Sequence, residues 1–204
     1  MTQDHNATVA LLFSGGPAPA ANSVISAAAL GFLDHGVRAL GILEGFTHLQ
    51  GYAPEKPLQE ARHFLSLTAH AVSGLRAQRG IAIRSARANP GKDVKSKADL
   101  DRPEKVAKLR ASVQALRSVG ASALVTMGGD DTLKTANFMN LLGMPTIHIP
   151  KTIDNDYYGI PWTFGYWTAV DTARKALLNL KADADSTNAY FLVELMGRSA
   201  GWMA

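Results

Sequence analysis

Cysteine is absent from the 204 residues, which removes disulfides, Cys-ligated zinc and thiol nucleophiles from consideration. The six histidines show no metal-ligand spacing, and His148 falls inside an apolar run, where it reads as a core residue. No window approaches eighteen apolar residues, so no membrane-spanning helix and no membrane partner are expected. The opening Met-Thr-Gln-Asp-His-Asn lacks the apolar centre of a signal peptide, and the expected location is the cytoplasm. Repeats and low-complexity segments are missing as well. A large excess of charge of one sign is missing: a net charge of +4 suits an anionic substrate but is too diffuse to argue for a nucleic-acid partner. What remains is an ordinary globular composition with enough chain for one sizeable core.

The chain reads as α/β. Ala7–Phe13 has the length of a buried strand and ends in Ser14-Gly15-Gly16. An Ala-rich helix follows over Ala20–Leu33, then a second strand over Val37–Leu43. This βαβ opening places a glycine turn at the carboxyl end of the first strand. The next stretch is mixed, with a short helix expected over Pro57–Leu67 and a short strand at Ile81–Ile83. Lys92–Arg102 reads as a charged surface loop. Pro103 starts a helix that stops near Val119 before Gly120. The pattern then alternates: strand Ala123–Met127, helix Thr132–Leu142, strand Thr146–Ile149, loop Lys151–Pro161, helix Thr163–Lys181, strand Ala189–Leu195. Such alternation predicts a doubly wound, mostly parallel sheet, in which ligands bind beyond the carboxyl ends of the strands. The segments Gly15-Gly16, Gly128–Asp131, Lys151–Asp156 and Met196–Arg198 all follow predicted strands and so share that address. The end of the chain, Gly197 to Ala204, resembles a loop opening a helix, and a partial chain is the expectation.

These segments form an inventory for phosphoryl transfer. Gly128-Gly129 lets backbone approach phosphate oxygens. Asp130 reads either as a ligand of a bridging Mg²⁺ or as a helix N-cap. Asp131 is redundant as a cap; beside bound phosphates its charge would repel a donor that continues past two phosphates. Asp154 or Asp156 can act as general base toward a sugar hydroxyl, although Asn155 between them also suits a plain turn. Lys151 either neutralises a transferring phosphoryl group or pairs with Asp154. Arg84 and Arg87 read as phosphate ligands or as solvated arginines. The aromatic residues from Tyr157 to Trp167 read as packing between loop and helix.

The motifs, taken together, resemble the phosphofructokinase family. Ser14–Asn22 is similar to its opening glycine loop, with Ala20 where that loop usually has glycine. Gly128-Gly129-Asp130-Asp131-Thr132 resembles its metal-binding turn, Pro150–Asp156 its catalytic loop, Thr163-Phe164-Gly165 the helix start that follows, and Glu194–Arg198 its sugar-phosphate loop. Order and spacing match over essentially the whole chain. The resemblance implies a donor-binding and catalytic α/β domain over residues 1–204, ending where the family's C-terminal substrate domain would begin. It also implies Mg²⁺ on Asp130, and pyrophosphate contacts from Gly15 and Arg87. Asp131 and Lys151 are the residue types of pyrophosphate-dependent members, where ATP enzymes usually have glycine at the first position and often at the second. Lys151 would stabilise the transferring phosphoryl group. Thr152, Ile153, Asp154, Asp156, Met196, Gly197 and Arg198 would hold fructose 6-phosphate, and Asp154 would deprotonate its 1-hydroxyl. Ala189 stands where many relatives have an arginine that reaches a neighbouring subunit. A homo-oligomer, dimer or tetramer, is expected. The alternatives are an ATP-dependent enzyme, another acceptor such as sedoheptulose 7-phosphate, and a non-catalytic phosphate-binding partner subunit.

Overall fold

Thr8–Phe13 forms β1 and is buried at every residue, as a continuous apolar run in the middle of a parallel sheet should be. The computed structural model describes residues 7–197 and 200–204. These divide into two compact units, Met1–Pro150 and Lys151–Ala204. In the first unit, helix α1 (Ala21–Leu33) leads to β2 (Arg38–Ile42), and β3 (Phe64–Leu67) follows. After the short helix α2 (Ala69–Ser73) and a long connection come α3 (Pro103–Ser118), β4 (Ala123–Gly128), α4 (Asp130–Leu141) and β5 (Thr146–Pro150). The strand order is β3-β2-β1-β4-β5. β1 pairs parallel with β2 and β4, and β4 with β5, while β3 is antiparallel to β2.

Ala10 and Leu12 of β1 pack with Val106, Leu109, Val113 and Leu116 of α3 and with Phe138 and Met139 of α4. Val9, Leu11 and Phe13 alternate to the other face, and α1, packed on β1 and β2, buries Ala21, Ile25 and Ala29. Each fully buried Val, Leu, Ile, Phe or Met side chain among these contributes about 1.5–3 kcal/mol. The chain runs to one side of β1 through β2 and to the other through β4. That reversal opens the crevice in which doubly wound sheets bind ligands.

Three expectations need correction. Pro57–Leu67 is not a helix: its end is β3, which satisfies the backbone of β2, and Ala61 takes a left-handed φ of 64° that no helix interior accommodates. Ile81–Ile83 is a turn, closed by Arg84 N–H donating to the Ile81 carbonyl at 2.9 Å. Gly80 and Arg84, both at positive φ, curl this apolar run so that Ile83 is buried outside any strand. The third concerns Ala189–Leu195, which is apolar enough for a strand but has no regular structure. Its own unit offers, among the described residues, only the single bridge between Lys151 and Phe164, and a strand needs a partner. Lys92–Arg102 is a loop in part; it includes a 3₁₀ turn, Lys97–Asp101. Asp99 accepts from Lys105 Nζ at 2.7 Å. That bond, and the Lys95 amide after it, lower the Asp99 carboxyl to about 2.

His148 lies in β5 opposite Thr126 of β4, with Nδ1 and Thr126 Oγ1 2.8 Å apart. Burial pushes its imidazole down to about 4, against a smaller upward pull from the Gly128 backbone. The native state therefore binds fewer protons than the unfolded chain between pH 6.5 and about 4, so stability falls as pH drops through that window. Between pH 7 and 5.5 the loss should be about 1 kcal/mol after discounting for partial exposure. Denaturant melts at the two pH values should show it, and His148→Gln should flatten the difference. An unchanged slope in that variant would show that another group titrates.

Candidate active site

Within the first unit, the exits of β1 and β4 lie side by side. Ser14 N–H donates to the Met127 carbonyl at 2.9 Å. Gly15 follows at φ 91°, a region open to glycine at little cost. Gly128 is equally constrained, because a Cβ there would collide with the Thr132 side chain. Glycine thus lets α4 start immediately after β4. The N-cap of α4 is Gly129, with no side-chain cap. Asp130 and Asp131 are the first two helical residues and both are exposed. The N-cap reading of Asp130 is therefore corrected: its carboxylate stands in the first turn, where negative charge is favoured by the helix dipole. Asp131 has no hydrogen bond or ion pair from its side chain among the described residues.

The turn at 81–87 closes on this edge. Ser85 Oγ donates to the Gly15 carbonyl at 2.6 Å. The Ala86 carbonyl accepts from Gly15 N–H at 3.0 Å and from Ser14 Oγ at 3.3 Å. Further on, Asn89 Oδ1 accepts from Thr135 Oγ1 of α4 at 2.6 Å. Arg87 is exposed and has no ion pair among the described residues. Arg84, in contrast, is engaged: its Nη1 meets Glu44 Oε1 at 2.9 Å. The Arg84 guanidinium, and then His48, draw the Glu44 carboxyl below the usual range. Both ends of this pair sit at left-handed angles, φ 58° for Glu44 and 57° for Arg84. Such angles cost non-glycine residues about 1–2 kcal/mol each, whereas an exposed ion pair contributes only about 0–1 kcal/mol. Ala20, noted for replacing glycine, also adopts a left-handed φ, 67°, as the N-cap of α1.

The second unit begins with Lys151, the residue after β5, and Lys151 and Asp154 are both buried there, at 7% and 8% exposure. Loop 151–164 is pinned from within. Thr163 Oγ1 donates to the Thr152 carbonyl at 2.6 Å. Asn155 Oδ1 accepts from Thr163 N–H at 2.9 Å, and Asn155 Nδ2 donates to the Pro161 carbonyl at 3.0 Å. Asn155 takes φ 52°, so it is the turn residue, and Asp154 N–H donates to Thr152 Oγ1 at 3.1 Å. Thr152, Ile153 and Asp156 are half-buried along the same loop. Gly165, at φ 91°, caps helix α5 (Tyr166–Thr187). Trp162 stacks on Tyr166 with centroids 5.9 Å apart, and Trp167 meets both rings. These three rings show the expected packing of loop on helix, whereas Tyr158 is fully exposed and does not. Met196 is exposed and Gly197 buried; Arg198 lies outside the described residues.

Sequence reasoning missed Glu44, which carried a signal, since it follows a strand and precedes a glycine. Thr163 was noted only as part of a helix start; that it pins the loop depends on a loop conformation the sequence does not display. Among the described residues, no group of three His, Asp or Glu side chains converges as a metal cage. An exposed carboxylate at a helix start fits Mg²⁺, which keeps several waters and relies on one or two carboxylates plus substrate phosphates.

A Phosphofructokinase family profile matches residues 8–204. The chain is 38% identical over 203 residues to a pyrophosphate–fructose 6-phosphate 1-phosphotransferase of Naegleria fowleri, covering 97% of this chain and 42% of that protein. It is 34% identical to the Thermotoga maritima protein of the same name, covering 95% and 43%. An ATP-dependent 6-phosphofructokinase of Chloroflexus aggregans is 36% identical, covering 96% and 51%. The chain spans about half the length of these relatives. The fold matches a phosphofructokinase structure from Saccharomyces cerevisiae with a TM-score of 0.78 at 23% identity, covering 97% of this chain and 27% of that one. It also matches a pyrophosphate-dependent phosphofructokinase structure from Nitrosospira multiformis with a TM-score of 0.73 at 21% identity, covering 98% and 48%. The glycine exit of β1, the acidic first turn of α4 and the pinned loop after β5 are thus carried by a chain that belongs to the phosphofructokinase family.

Proposed function

We propose that this chain carries the donor-binding and catalytic part of a Mg²⁺-dependent phosphotransferase. It moves a phosphoryl group reversibly from pyrophosphate to the 1-hydroxyl of fructose 6-phosphate, giving fructose 1,6-bisphosphate and phosphate. The observation that carries the donor choice is Asp131, an exposed carboxylate in the first turn of α4 that forms no ion pair among the described residues. It adds negative charge where a donor's phosphates meet a helix start. A two-phosphate donor ends before meeting it; a nucleoside triphosphate continues past.

In this reading Gly15 and Arg87 hold the donor, and Asp130 would hold Mg²⁺, which neutralises donor phosphate charge when bound. Asp154 takes the proton of the acceptor's 1-hydroxyl. The freed oxygen forms the new P–O bond while the bond to the leaving phosphate breaks, and Lys151 balances the charge that moves onto that phosphate. Thr152, Ile153, Asp156 and the Met196-Gly197-Arg198 segment orient the sugar phosphate. A homo-oligomer acting in cytoplasmic glycolysis completes the proposal.

A second reading is favoured by the 36% identity to the ATP-dependent Chloroflexus enzyme: the same transfer, with ATP as donor. The full-length protein, given Mg²⁺ and fructose 6-phosphate with pyrophosphate or ATP separately, tests both. Turnover with pyrophosphate is the expected result, and turnover with ATP alone would overturn the donor choice. Activity with neither donor, regained on sedoheptulose 7-phosphate, would move the acceptor; none with that sugar either would make the chain a non-catalytic phosphate binder.

A further inference from the structure

Glu44, just beyond β2, and Arg84, at the end of the 81–84 turn, meet at 2.9 Å. The backbone joins the same two segments, since Glu44 N–H donates to the Ile83 carbonyl at 3.1 Å. The second Glu44 carboxylate oxygen faces His48 Nε2 at 3.2 Å, so the carboxylate is held from two sides. Beyond Arg84 the chain runs through Ser85 and Ala86, which hold Gly15 and Ser14, to the exposed Arg87. One short segment thus supports the glycine turn and carries the arginine. Its geometry depends on a left-handed residue at its start, and that residue is an arginine rather than a glycine.

We propose that the Glu44–Arg84 pair is a positioning device for the phosphoryl-donor site. It holds the left-handed turn at Arg84, so that the Gly15 backbone and the Arg87 guanidinium are presented together. Arg84 itself does not touch the donor; its guanidinium is committed to Glu44. The inference rests on the reading of Gly15 and Arg87 as donor ligands. It extends that reading to a pair that offsets part of the cost of an unfavourable backbone angle.

The experiment uses the full-length protein. Affinity for Mg²⁺-pyrophosphate, or for Mg²⁺-ATP if that proves to be the donor, is measured by calorimetry, beside KM for donor and for fructose 6-phosphate. Glu44→Ala and Arg84→Ala should each weaken donor binding by about three- to tenfold, with fructose 6-phosphate KM and Tm unchanged. Arg84→Gly should return donor affinity to within about twofold of the parent, because glycine adopts this angle unaided. Arg87→Ala should weaken donor binding in every background. An Arg84→Gly variant as weak as Arg84→Ala would overturn the proposal, since the guanidinium would then be needed for itself. Equal loss of affinity for both substrates with a lowered Tm would overturn it too, as a merely structural contact. Parent-like Glu44→Ala and Arg84→Ala with an impaired Arg87→Ala would do the same. If Arg87→Ala binds donor normally, it is the donor-site reading that fails.

Discussion

Asp131→Gly should give the protein turnover with ATP. The side chain can be removed at little structural cost: it is exposed, makes no ion pair among the described residues, and contributes to α4 only through the helix dipole, about 0.3–1 kcal/mol. Its charge is another matter. Two like charges about 4 Å apart repel by about 4 kcal/mol at the effective dielectric of a protein surface. Even half of that corresponds to a change in affinity of about 30-fold. We therefore expect kcat/KM for ATP to rise by about 30-fold or more. With pyrophosphate it should change by less than about tenfold, because that donor does not extend into the vacated space. Parallel steady-state assays with the two donors on parent and variant read this directly. The donor assignment is lost if the parent already uses ATP, or if the variant gains nothing.

Asp154→Asn should reduce kcat by about 10²–10⁴ and leave donor affinity intact. Asparagine keeps the shape of the side chain and leaves the bond from the 154 amide to Thr152 Oγ1 in place, so the pinned loop survives. What disappears is a carboxylate able to take the hydroxyl proton. Microscopic reversibility makes the same variant equally slow with fructose 1,6-bisphosphate and phosphate, and both directions should be assayed. A variant that keeps parent kcat in both would remove Asp154 as general base. A variant equally slow but with a much lower Tm would mark the residue as structural.

The elements that could be read in the sequence are those whose evidence is local. β1 shows a buried run of strand length ended by glycines, and α3 shows Pro103 at its start and Gly120 beyond its end. The candidate site was legible for the same reason: a glycine pair or a lysine beside carboxylates, directly after a strand, is visible without knowing the partner. Three elements were not. β3 exists because β2 has an open edge, the turn at 81–83 because Gly80 and Arg84 bend an otherwise strand-like run, and 189–195 stays irregular because its unit supplies no strand among the described residues. The first and third outcomes are fixed by segments distant in sequence, and the second by backbone angles that residue type alone does not announce. The Glu44–Arg84 pair is the sharpest case, since no propensity scale places arginine at a left-handed angle.

The order in which the sheet's strands can pair bears on how the proposed donor site comes into being. Central strand β1 meets β4 only after the chain has closed a loop of more than a hundred residues; the Ser122 to Thr8 bond beside that pairing spans 114. β1 and β2, by contrast, are joined through a single short helix. The entropy of closing the long loop must be met before the β1–β4 contacts reward it. The glycine turn after β1 and the acidic turn after β4 therefore become neighbours late in folding. A nascent chain halted before residue 123 would hold the glycine turn without the acidic one. Phosphate binding at the proposed site would then report the β1–β4 pairing rather than the beginning of the sheet.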